Sequence, residues 1–88
     1  MARNTASTGA ETLSLTRYVV VTRQGTHPVD RFITIEAAAD YIVRERAFGR
    51  WKVLAQEANK ITAATPYREL LKHEKQALER KLFPTLFD

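Results

Sequence analysis

The chain has 88 residues, 44% of them hydrophobic, and no cysteine, which confines it to one small domain and excludes a disulfide framework or a thiolate metal site. Fourteen Lys and Arg against ten Asp and Glu give a net charge of +4, which favours polyanionic partners at low ionic strength without selecting one. The longest apolar run, Tyr18 to Val21, is far short of the ~20 residues of a membrane helix, so the composition points away from a span and towards a cytoplasmic protein.

Met1 to Ala10 contains one Arg and no apolar core, so residues 1–14 read as a flexible leader ahead of a single domain over residues 15–88. Arg17-Tyr18-Val19-Val20-Val21-Thr22-Arg23 is β-branched and aromatic, and Leu13-Ser14-Leu15 can extend it. Tyr18, Val20 and Thr22 share one face of this strand and Val19 and Val21 the other; with both faces largely apolar, it belongs at the centre of a sheet or under cover. Gln24 to Pro28 supplies a turn, with Gly25 suited to positive φ, and Asp30 to Ile33 returns as a shorter, more polar strand.

Thr34 stands where an N-cap belongs and Glu36 in the first turn, followed by three alanines, so a helix is expected to about Phe48 with Gly49 as its C′ residue. Ile35, Ala38, Ala39 and Ile42 repeat at helical spacing on its buried face, and Asp40 with Arg44 forms an i,i+4 pair. Trp51 to Glu57 reads as a third strand, and Ile61-Thr62-Ala63 as a short fourth strand or an extended connection. Thr65-Pro66 is a helix start, and a second helix carrying Tyr67, Leu70, Leu71, Ala77, Leu78 and Leu82 on one face is expected to about Phe83, before Pro84. The order β-β-α-β-(β)-α builds an α+β fold: a small, mainly antiparallel sheet of three to four strands with two helices packed on it.

The densest positive cluster is Arg44, Arg46, Arg50 and Lys52, with Phe48 and Trp51 interleaved. Basic residues beside aromatics suit phosphate pairing and base stacking in nucleic-acid binding. The same residues have a structural account, since cations at a helix C-terminus complement its dipole and large aromatics belong to cores. His27 and His73 are far apart and have no cysteine or carboxylate at ligand spacing, so neither a metal nor a cofactor is expected. Glu69, Glu74 and Glu79 alternate with Lys72, Lys75, Arg80 and Lys81 and read as a solvated, salt-laced helix face. Beyond Pro84 the terminus carries Leu86 and Phe87, which either fold back on the core or anchor a partner.

The hairpin-into-helix segment from Arg17 to Ile42, in a tiny cysteine-free chain, resembles the small accessory proteins of phages and mobile elements, and among them is similar in general build to anti-CRISPR proteins. The resemblance implies a protein that binds and blocks a large host complex. It carries over no functional residue. Unlike inhibitors that mimic DNA with acidic surfaces, a basic chain would occlude a protein surface or contact nucleic acid within the complex.

Three readings follow in order. The first is a non-enzymatic protein-binding module, an inhibitor or adaptor acting on a larger host macromolecular complex, with a protein partner and, for so small a chain, a homodimer as a further expectation. The second is a nucleic-acid-binding accessory protein using Arg44, Arg46, Arg50 and Lys52. An enzyme ranks third, since it requires a pocket on which His73, Glu69 or Tyr67 converge.

Overall fold

The computed structural model describes residues 14–84, and the expected leader, apart from Ser14, and the apolar tail at Leu86 and Phe87 lie outside them. The described chain is a three-stranded antiparallel sheet with two helices: β1 (Leu15–Thr22), β2 (Pro28–Phe32), α1 (Ile35–Arg44), β3 (Trp51–Ala58) and α2 (Lys72–Leu82). This is the α+β class and element order expected from the sequence. Among the described residues no helix is long and apolar enough to cross a membrane.

β1 is central, in the order β2-β1-β3, and pairs antiparallel with both neighbours. Its sequence explains the position. Val19, Val20 and Val21 are all fully buried, so both faces of the strand are covered and both edges are bonded. One face packs Val20 with Val53, Ala38 and Ile42, joined by Leu78 and Leu82 of α2; the other packs Val19 and Val21 with Leu54 under Tyr67. The small Ala38 and Ala39 on α1 are fully buried and let the helix lie close to the sheet.

The β1–β2 turn is closed by the Thr22 N–H donating to the His27 carbonyl at 2.9 Å and the His27 N–H to Thr22 Oγ1 at 2.9 Å. Gly25 takes φ +80° there, so the backbone calls for glycine; a Cβ would meet only the exposed His27 ring, at 2.8 Å, which is free to swing aside. The pairing of β1 with β2 slips between Val20 and Val21, a bulge that leaves Val29 as the extra residue, packed against the core.

Thr34 caps α1 as expected, its Oγ1 accepting from the Ala37 N–H at 3.1 Å. Thr34→Ala is expected to destabilise the fold by about 1 kcal/mol, measured as a lowered urea midpoint with unchanged slope. The end of α1 differs from the expectation. The helix stops at Arg44, the Arg46 N–H donates to the Val43 carbonyl and the Ala47 N–H to the Ile42 carbonyl, and Arg46, not Gly49, takes the left-handed conformation at φ +53°. These bonds are a Schellman motif with arginine where glycine is favoured, at a cost of about 1 kcal/mol. It forms here because Ala47, the residue after the turn, is fully buried and fixes the exit of the chain. Asp40 does not pair with Arg44; its carboxylate meets Lys81 Nζ at 3.4 Å, linking α1 to α2.

α2 also begins later than Thr65-Pro66 predicts. Arg68 pairs with the outer edge of β3 through an isolated bridge, its N–H donating to the Ala55 carbonyl at 2.7 Å and its carbonyl accepting from the Ala55 N–H at 3.0 Å. That bridge holds the segment extended and keeps Tyr67 off the helix, on the opposite face of the sheet. Thr65 is taken up within the loop, its Oγ1 accepting from the Thr62 N–H at 2.9 Å and its carbonyl from Gln56 Nε2 at 2.7 Å. Ile61, Thr62 and Ala63 lie in this loop, and the bracketed fourth strand is absent among the described residues.

Candidate functional site

Leu71, which caps α2, has no side-chain acceptor, and Glu74 bonds back to the Leu71 N–H at 2.8 Å. The same carboxylate accepts two bonds from the Arg68 guanidinium, at 2.8 and 3.2 Å, and one from the Tyr18 hydroxyl at 2.6 Å. Arg68 also pairs with Glu57 at 3.1 Å. Glu74 is therefore buried and fully used, whereas the helix pattern assigned it to a solvated face. The bonds from Arg68, then those from Tyr18 and Leu71, hold its carboxyl down at about 2 against the opposing effect of burial. Burial first, and then the bond to Glu74 and its charge, push the Tyr18 hydroxyl up to about 12. This network locks β1, the loop and α2 together, and Tyr18 and Glu74 also border a shallow surface cleft.

The residues on which an enzyme reading depends are dispersed. His73 lines a shallow cleft with Tyr18, Ile33 and Glu36, Glu69 borders a different groove, and Tyr67 covers the far face of the sheet. Among the described residues no group of His, Asp and Glu is arranged to hold a metal ion.

The positive cluster is partly assembled. Arg44 ends α1, Arg46 sits in the Schellman turn and Arg50 precedes β3, all three exposed at one end of the sheet. Arg44 lies over the Tyr41 ring at 5.8 Å and Arg50 over the Trp51 ring at 5.5 Å, while Tyr41 and Trp51 stack on each other at 5.5 Å with planes 10° apart. Phe32 tilts against Tyr41 at 5.3 Å. Lys52 falls outside this stack and borders, with Trp51 and Val53, the groove between β3 and α2. Arg23 joins the positive cluster, beside the stack rather than in it. Pairing of Thr22 with Trp51 brings it beside Arg50, where the Arg23 N–H donates to the Arg50 carbonyl at 2.9 Å and both side chains line one cleft. Arg23 lies far from the cluster in sequence, and only the β1–β3 register reveals it.

Between β3 and α2 runs an apolar groove of about 230 Å³, floored by Ile42, Val53 and Leu78. At its mouth the Phe48 and Phe83 rings meet at a tilt, 5.8 Å apart with planes 34° apart, and they remain 39% and 43% exposed. Arg23, Lys52 and Lys75 border the groove against the one carboxylate of Glu69. Its volume is below the range of small-molecule and cofactor sites and suits one or two apolar side chains.

No protein-family model, curated protein or solved structure matches the chain.

Proposed function

We propose that the chain is a non-enzymatic protein-binding module, an inhibitor or adaptor that docks on a larger host complex. The observation that carries this reading is the cation-bordered apolar groove with two half-exposed phenylalanines at its mouth. An apolar pocket ringed by charge is the arrangement of an interface anchor site, in which a buried side chain supplies affinity and the polar rim selects the partner. With Arg23, Lys52 and Lys75 against Glu69, the rim favours a protein segment that offers apolar anchors flanked by Asp or Glu. The resemblance in general build to anti-CRISPR proteins, read from the sequence, is in keeping with a chain that works by occupying a surface.

Tagged protein is incubated with nuclease-treated host extract, the retained protein is identified by mass spectrometry, and its binding is remeasured with purified components. Phe48→Ala with Phe83→Ala is expected to weaken that binding at least tenfold while the variant remains folded by circular dichroism. Undiminished binding by the folded variant, or no purified protein that binds directly, overturns the reading.

A further inference from the structure

We infer that the basic end of the sheet is a second, separate binding site, which takes the phosphodiester backbone of nucleic acid without reading its bases. Arg23, Arg44, Arg46 and Arg50 arrive there from β1, α1, the Schellman turn and the entry to β3. Among the described residues no carboxylate lies within ion-pairing distance of any of the four, although Arg68 and Lys81 elsewhere are paired. Glu45 is the acidic residue interleaved with them, and its backbone carbonyl accepts from Arg50 at 3.4 Å.

The aromatic rings decide which part of a nucleic acid is contacted. Tyr41 and Trp51 stack on each other and carry Arg44 and Arg50 over their faces, so those faces are engaged within the protein and do not offer a platform for bases. What the stack presents outward is guanidinium. A guanidinium laid on a ring keeps its N–H edge for a phosphate and loses little side-chain freedom on binding. Several such groups at one end suit a repeating anion, and an extended backbone of phosphates supplies it. The inference does not depend on the apolar groove: Arg23 borders both, but Arg44, Arg46 and Arg50 lie outside the groove, and the ligand is different.

Binding of the full chain to a fluorescein-labelled 20-mer of dT, a 20-mer of dA and a 20-base-pair duplex is followed by anisotropy across a salt series. Binding to dT and dA is expected to agree within about threefold, with log K falling linearly against log salt. Arg46→Gly is the decisive variant: it relaxes the left-handed turn, so its thermal midpoint is expected to equal or exceed that of the parent, while the salt slope drops by about 0.7 for single strands, one phosphate contact. Arg44→Gln and Arg50→Gln are expected to reduce the slope likewise, and Lys60→Gln, beyond the opposite end of β3, to leave it unchanged. No binding at 50 mM salt, a strong preference for one base, an unchanged slope in Arg46→Gly, or equal competition by polyglutamate at matched charge would each overturn the inference. Phe48→Ala with Phe83→Ala is expected to retain nucleic-acid binding, which separates failure of this site from failure of the groove.

Discussion

Glu74→Ala is expected to lower the unfolding free energy by about 3–5 kcal/mol, the largest effect of any single substitution in the ionic lock. The size follows from what remains. Removing the carboxylate leaves the Tyr18 hydroxyl and the Leu71 N–H without their acceptor, and the Arg68 guanidinium with only Glu57 and the Glu69 carbonyl, at a site where Glu74 itself is 5% exposed. For a domain of this size that is a large share of total stability, and the check is urea unfolding at neutral pH.

The same contact sets the pH range of the fold. With its carboxyl held at about 2 in the native state, against an ordinary 4.5, Glu74 contributes stability that is complete above about pH 4.5 and lost as pH falls towards 2. The corresponding contribution is about 3 kcal/mol. Tyr18 acts in the other direction. Its hydroxyl is pushed from 10 up to about 12, so the native state holds that proton more tightly, and stability present below pH 10 is lost as pH rises through 12. Unfolding measured across pH should therefore give a plateau with an acid limb and an alkaline limb. Tyr18→Phe is expected to abolish the alkaline limb and to weaken the acid limb, since its hydroxyl is one of the donors that hold the Glu74 carboxyl down, and Glu74→Ala to abolish the acid limb with much of the alkaline one.

Ile42→Ala is expected to cost about 2–5 kcal/mol, at the upper end if the surrounding side chains cannot close over the space. Ile42 is 2% exposed and sits where α1 meets Val20 and Val53, so its loss opens the middle of the core. Val43→Ala, one position along the same helix and 41% exposed, is expected to change stability little. The contrast between the two, read as urea midpoints, tests the orientation of the helix on the sheet.

Much of this orientation was legible in the sequence. The unbroken valines of β1 announced a strand covered on both faces, and the Ile35, Ala38, Ala39, Ile42 spacing gave the buried face of α1. Local signals failed where a distant group competed with them. Thr65-Pro66 is a sound helix start by local chemistry, but pairing of Arg68 with the edge of β3 keeps that segment extended. Gly49 looked like the helix stop, yet burial of Ala47 places the left-handed residue at Arg46. The partners of Glu74 were hidden for a related reason: Tyr18 lies 56 positions away, and Arg68 reaches the carboxylate from the loop before the helix. Of the positive cluster, composition found Arg44, Arg46 and Arg50, while only strand register adds Arg23, and the fold places Lys52 at the groove.

The central position of β1 has a kinetic consequence. Its pairing with β2 needs only the turn between Thr22 and Pro28, so that hairpin is local, whereas its pairing with β3 must await everything in between, including α1. Loop-closure entropy must therefore be overcome before Val20 can meet Val53, and the bond from Tyr18 to Glu74 spans a still longer stretch of chain. Folding should proceed at the pace of mixed α/β domains rather than that of helical bundles, with the last helix securing a sheet already formed.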